Sequence, residues 1–249
     1  MRGRWTGLAV VAAAAVPFGY VVSRQDWWSA ALAWLFPSQP QTTFPSATVA
    51  QLVVQHLEIV GVATAFTLLV GLPLGVWVTR DSGRDFHDVV AATVDFGQAF
   101  PPVAVLALTV SFLGFGTIWP VIIALTIYGL LPVVSNTVAG IEAVSPAVLD
   151  AARGMGMDRW RVLFEVELPL AARVIMAGVR TSVIIIIGTA TVAAVTGVGG
   201  LGSPMFAGID LQNYAFVLEG AAAAAMLAVL ADAAFAQVER LVTPAAATD

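Results

Sequence analysis

The chain has 249 residues, 59% of them hydrophobic and 11% charged, with a mean hydropathy of +0.90 and a formal net charge of -5. That balance excludes an ordinary water-soluble domain, in which about a quarter of residues are charged, and it excludes the basic face that a nucleic-acid partner requires. Cysteine is absent and histidine occurs twice, which excludes disulfides, thiolate metal sites and a histidine metal cluster.

A hydrocarbon core about 30 Å thick is crossed by roughly 20 apolar residues in helical form. About six such runs occur, at 5–22, 53–78, 88–112, 118–140, 171–197 and 215–238. They are continuous rather than alternating, so the expected fold is an all-α integral membrane protein with about six transmembrane helices, not a barrel. Every basic residue is an arginine. Arg2, Arg4, Arg80, Arg84, Arg153, Arg159, Arg161, Arg173 and Arg240 fall at the N-terminus, in alternate connections or after the last run. An excess of basic residues marks cytoplasmic loops, which puts both termini and the 141–170 connection in the cytoplasm. Arg24 lies in an opposite loop and Arg180 inside a run. The expected divisions are an N-terminal span with an extracytoplasmic linker (1–45), a transmembrane domain (46–240) containing the long connection at 141–170, and a cytoplasmic tail (241–249).

In chain order, the first run follows Arg2 and Arg4 and precedes the small-residue pattern Ala31-Leu32-Ala33. It therefore also fits a cleavable leader, whose removal would leave five spans with the same cytoplasmic connection. The segment 23–52 carries Trp27, Trp28, Trp34 and Phe36, then Pro37, Pro40 and Pro45. This predicts an interfacial helix at headgroup level followed by an irregular stretch, with a docking surface as the alternative. Glu58, Glu142, His56 and His87 read as residues flanking span ends. Within 88–112, Asp95 has Gln98 one turn away, and Pro101 and Pro102 should kink the helix beside it. An acid inside a span faces protein or water, so Asp95, Gln98, Pro101 and Pro102 are candidate pathway residues; snorkelling of Asp95 to the surface is the alternative. Glu219 and Asp232 are the other acids inside spans.

The 141–170 connection predicts two short helices. Ser145 reads as an N-cap with Pro146 in the first helical position, and Gly154 and Gly156 end that helix. Asp158 caps a second, and Leu168-Pro169 should break it before the next span. Beyond that span, the glycines of Gly197 to Gly202 predict a tight turn or broken helix facing a cavity, with close helix packing as the alternative. They are not a nucleotide loop: a phosphate-binding P-loop requires a lysine, and the chain has none.

Taken as one pattern, Asp150-Ala151-Ala152, then Gly156 after three residues, then Val166-x-Leu168-Pro169 after nine more, resemble the Glu-Ala-Ala-x3-Gly-x9-Ile-x-Leu-Pro signature of ABC importer permeases. Two positions depart, Asp150 for Glu and Val166 for Ile. The stretches Ala151 to Met157, Val166 to Leu170, Ala177 to Thr181, Gly197 to Gly202 and Asp95 to Leu108 look like the osmoprotectant branch, whose permeases serve glycine betaine, choline and carnitine. The likeness spans most of 50–240. Arg173 stands where these permeases often have proline, and 1–45 is longer than in many of them.

The resemblance implies a type I ABC importer permease fold in a bacterial inner membrane, crossing it several times. It implies that Asp150, Ala151, Ala152, Arg153, Gly156, Asp158, Leu168 and Pro169 belong to a coupling segment seated in a groove of a separate ATPase. Gly197, Gly199 and Gly200 join Asp95, Gln98, Pro101 and Pro102 as pathway candidates. The chain would be a transport subunit rather than an enzyme, with no catalytic residue, metal or cofactor of its own. ATP and Mg would bind a dimer of ABC ATPase subunits. Further implied partners are a second permease, identical or paralogous, and an extracytoplasmic substrate-binding protein, which is where an aromatic cage for a quaternary ammonium solute belongs. The alternatives are a permease for another small solute such as an amino acid, an ion-coupled secondary transporter, for which no internal repeat is visible, and an intramembrane hydrolase, for which neither histidine lies near a span centre.

Overall fold

The computed structural model describes residues 2–242, with side chains from Val11 onward. Of the tail expected at 241–249, residues 243–249 lie outside the described residues, as do the side chains of Arg2 and Arg4. The helices in chain order are α1 (Arg2–Ser23), α2 (Gln25–Leu35), α3 (Val49–Val78), α4 (His87–Ala99), α5 (Pro102–Leu113), α6 (Trp119–Glu142), α7 (Pro146–Gly154), the single turn α8 (Arg159–Arg161), α9 (Leu168–Ala193), α10 (Gly202–Asp210) and α11 (Tyr214–Val242). No strand occurs among the described residues. The helices α3, α6 and α11, and the continuous stretch Arg159–Thr196 that contains α9, are long and apolar enough to cross a membrane; α4 and α5, bent by 97° at the break between them, reach that length only as a pair, which gives four or five crossings among the described residues. The first run is α1, whose described apolar part, Val11–Ser23, is shorter than these spans.

α6 is the most enclosed of these spans. It lies between α3, which runs parallel to it, and α9, which runs antiparallel. Lipid tails are as apolar as leucine, so spans adhere through close backbone approach rather than through hydrophobic exclusion. The glycines supply it. Gly71 meets Val133 and Leu130, Gly75 meets Thr137, Gly140 meets Ala171 and Val174, and Gly129 meets Thr67, Ser182 and Ile186 where α3, α6 and α9 come together. α11 packs on α9, and α1 packs on α11 and α3. The buried side of α3 is a single stripe of Leu52, Val53, His56, Ile59, Val60, Ala63, Thr67, Gly71, Gly75 and Val78, spaced one or two per turn as a helix requires.

Two sequence expectations take a different form in the structure. The run 88–112 is two helices at a near right angle, because neither Pro101 nor Pro102 can donate the N–H that would continue α4. At the start of α9, by contrast, the break expected at Leu168-Pro169 is absent. Residues Val162–Glu167 form a π-helical turn that leads directly into α9, with Pro169 in its first turn. The wider turn takes up the ring that an α-helical turn would reject.

At the end opposite 141–170, α2 is followed by an irregular segment, 36–48, as expected. It is not loose. Gln39 Nε2 donates to the Gln212 carbonyl at 3.2 Å, Asn213 Nδ2 to the Gln41 carbonyl at 2.8 Å, and the Phe44 N–H to Glu219 Oε2 at 2.7 Å. Gln25 donates to the other Glu219 oxygen and accepts from the Val49 N–H, so it joins α2, α3 and α11. Glu219 is wholly buried, which explains an acid inside an apolar run: it anchors this strap.

Candidate functional site

The connection between α6 and α9 is built from helix-terminus chemistry. Ser145 precedes α7 without a side-chain cap bond, and Pro146 occupies the first helical position, where its missing N–H costs nothing. α7 ends in a Schellman motif: the Met157 N–H reaches the Ala152 carbonyl at 3.2 Å and the Gly156 N–H the Arg153 carbonyl at 2.9 Å. That closure needs a left-handed residue, and Gly156 has φ of +84°. Asp158 then caps α8, accepting from the Arg161 and Trp160 N–H groups at 2.9 Å each. Those two backbone bonds hold its carboxyl below the usual carboxylate range, so it stays ionised and capping at neutral pH.

Ala152 is buried while Asp150, Ala151, Arg153, Gly156, Asp158 and Pro169 are exposed and Leu168 is half-buried. Asp150 and Arg153 pair along α7 at 3.6 Å. On the same connection Val148, Met155, Trp160 and Phe164 are exposed, with the Trp160 and Phe164 rings stacked. Large apolar side chains among charges of both signs, carried on short well-capped helices, form a surface suited to seat in another protein.

Sequence reasoning missed the residue that ties this connection to the bundle. Glu167, in the π-turn, is 5% exposed, and its Oε2 lies 2.6 Å from Arg80 Nη1 at the end of α3. The Arg80 guanidinium is itself oriented by Thr79 Oγ1 at 3.0 and 3.2 Å. A glutamate directly before Leu168-Pro169 and an arginine at the end of a span are visible in the sequence, but their pairing is not.

The pathway candidates of the broken span serve its geometry. Pro132 in α6 has no N–H for the Tyr128 carbonyl one turn earlier. Gln98 supplies the donor instead, Nε2 to Tyr128 O at 2.5 Å. The Tyr128 hydroxyl in turn donates to the Phe100 carbonyl, at the break before Pro101-Pro102. Three irregularities therefore satisfy one another and fix the bend against α6. Asp95 is exposed on α4. Near it a shallow open cleft runs between α4 and α6, lined by Val94, Val138, Ser135, His87 and Glu142 among others; the last two stand at the ends of these helices, as expected.

At the opposite end, the chain turns from α9 to α10 through Gly197, Gly199 and Gly200, with φ of +81°, +93° and +83°. Gln55 Oε1 accepts from the Gly200 N–H at 3.2 Å and His56 Nδ1 from the Leu201 N–H at 3.4 Å. A Cβ at Gly199 would sit 2.8 Å from Gln55 Oε1. Because His56 Nδ1 accepts, its proton is on Nε2, which faces the Ile187 carbonyl at 3.1 Å. The sequence reading treated His56 as a flanking residue; its place on the buried stripe of α3 was the signal. The third in-span acid, Asp232, is also accounted for. It receives both Arg180 Nε and Nη2 at 2.7 Å, joining α9 to α11.

The profile described as "Binding-protein-dependent transport system inner membrane component" matches residues 71–244. The chain is 40% identical over 190 residues to a glycine betaine/carnitine/choline transport system permease protein of Bacillus subtilis, covering 76% of this chain and 86% of that one. It is 37% identical over 190 residues to an osmoprotectant import permease protein of Salmonella typhimurium, covering 76% and 80%. A carnitine transport permease protein of Listeria monocytogenes is 38% identical over 192 residues, covering 77% and 87%. Among solved structures, an inward-facing methionine ABC transporter superposes with a TM-score of 0.68 at 21% identity, over 79% of this chain and 96% of that one, so the fold is that of its membrane subunit.

Proposed function

The chain belongs to the family of binding-protein-dependent transport system inner membrane components, and within that family we propose that it is the permease subunit of an ATP-driven importer of osmoprotectants such as glycine betaine, choline or carnitine. The observation that carries the reading is α7 with its Schellman turn and the capped α8. These present Asp150, Arg153, Met155 and Trp160 outward from one end of a bundle whose relatives are permeases for these solutes. The arginine distribution supports placing that end in the cytoplasm, with the protein in the bacterial inner membrane and both termini inside. α7 and α8 seat in a separate ATPase subunit, where ATP and Mg bind. Closure of an ATPase dimer moves this segment in each of two permeases, which together open the path outward to a loaded binding protein. The bend at Pro101-Pro102, Asp95, and the Gly197–Gly200 turn border the route.

The test is uptake of radiolabelled glycine betaine at high osmolarity by cells carrying this chain with its neighbouring subunits. Wild type accumulates the solute. Gly156→Val, which forces a β-branched residue to a left-handed φ at a cost of about 1–2 kcal/mol, abolishes uptake while membrane abundance stays near wild type. Uptake unchanged in that variant contradicts the coupling role, and absence of betaine, choline and carnitine uptake in wild type contradicts the solute class.

A further inference from the structure

We infer that α3 is the element that links the coupling segment to the opposite mouth of the bundle, through a joint at each end: Arg80–Glu167 at one and Gln55–His56 at the other. The inference rests on the permease reading above and names residues that reading does not use. α3 is a continuous helix of 30 residues, about 45 Å long at 1.5 Å per residue, long enough to reach across the membrane, with Pro73 removing one intrahelical hydrogen bond near its cytoplasmic end.

At its cytoplasmic end the contact is a short ion pair in a low-dielectric setting. The Glu167 side chain is 6% exposed and Arg80 30%, and Oε2 and Nη1 are 2.6 Å apart. Such a pair resists separation, because parting it leaves a buried charge without a partner. Arg80 cannot pivot freely either: Thr79 and the Val76 carbonyl hold its guanidinium against the last turn of α3, whose exposed carbonyls favour a cation there. Glu167 sits in the π-turn between the capped α8 and α9. Movement of the α7–α8 segment therefore reaches Glu167 before it reaches the body of α9, and reaches α3 through the ion pair.

At the other end, successive residues of α3 hold successive N–H groups of the glycine turn, Gln55 the Gly200 N–H and His56 the Leu201 N–H. A turn with three positive-φ glycines can rearrange at little steric cost. It needs only a handle, and Gln55 and His56 supply one. His56 also contacts the Ile187 carbonyl of α9, so displacement of α3 against α9 pulls directly on the connection to α10. Between the joints α3 meets α6 at close approach, with Val133 and Thr137 set into the gaps at Gly71 and Gly75.

The proposal is tested on the full complex, permeases with ATPase subunits, reconstituted in liposomes with glycine betaine and its binding protein outside and Mg-ATP inside. Uptake and ATP hydrolysis are measured on the same preparation. Glu167→Gln and Arg80→Gln are expected each to lower uptake per ATP hydrolysed by about fivefold or more, with hydrolysis within twofold of wild type. The exchange Arg80→Glu with Glu167→Arg restores at least part of the ratio, and Gln55→Leu lowers it as Glu167→Gln does. A purely structural role predicts that uptake and hydrolysis fall together with abundance. That result, or wild-type ratios in the single variants, overturns the inference, as does an exchange without rescue. If the wild-type complex shows no ATP-driven uptake, the permease reading itself fails and takes this inference with it; normal wild-type uptake with coupled single variants defeats the inference alone.

Discussion

Gly178→Val is expected to lower the thermal midpoint of the detergent-solubilised protein by roughly 5–10 °C and to reduce its membrane abundance severely. A Cβ at Gly178 falls on the Pro132 carbonyl and 2.5 Å from Asn136 Cβ. The obstacle is backbone on the central helix, which cannot swing aside like a side chain, so α9 must move off α6. Overpacking of this kind costs about 1–3 kcal/mol or more, and for a chain of this size each kcal/mol shifts a midpoint by about 2–4 °C. Gly188 on the same helix is the control, since nothing lies within 4 Å of a Cβ there. Gly188→Ala should leave abundance unchanged or raise it slightly through helix propensity. Equal effects at the two positions would refute the account of how α6 and α9 adhere.

The Arg180–Asp232 pair gives the second large effect, with an asymmetry that identifies its cause. Arg180 faces two acids, Asp232 at 2.7 Å and Glu239 at 3.7 Å, and Glu239 also pairs with Arg173 at 3.6 Å. Arg180→Leu leaves Asp232 within a span without its bidentate partner, whereas Asp232→Leu leaves Arg180 with Glu239. An unpaired charge at the centre of a span costs about 2.5–3.5 kcal/mol on insertion scales. The pair is partly exposed, which places these variants toward the lower end. Membrane abundance should fall in the order wild type, Asp232→Leu, Arg180→Leu, and the double leucine variant should exceed Arg180→Leu because no charge is left stranded. A double variant as poor as the sum of the singles would show that the pair acts through packing rather than charge.

How much of this was legible in the sequence depends on the physical range of each signal. The spans were legible because length and hydropathy are properties of consecutive residues. The caps of the 141–170 connection were legible for the same reason: Pro146, Gly156 and Asp158 act on N–H and carbonyl groups only a few residues away. The proline pair was correctly read as a kink, but its angle depends on Gln98 and Tyr128 meeting across two helices. Leu168-Pro169 was misread as a break because a π-turn upstream can absorb a proline ring, and nothing in residue type announces a π-turn. The polar residues were least legible. Gln98 was read as a pathway residue, and its amide is spent on the carbonyl orphaned by Pro132. His56 and Glu167 were passed over, although both are buried with polar partners more than 80 residues away in the chain. Their roles arise from tertiary pairing, and only the helical spacing of His56 on the stripe of α3 hinted at burial.

The most direct test of the central claim is transport by the purified complex in liposomes, with labelled glycine betaine and binding protein outside and the nucleotide supply controlled inside. The account predicts uptake that requires Mg-ATP and the binding protein, and that stops when ATP is replaced by a non-hydrolysable analogue. Uptake that proceeds without ATP and follows an imposed sodium or proton gradient would contradict it, and would make this chain an ion-coupled transporter instead.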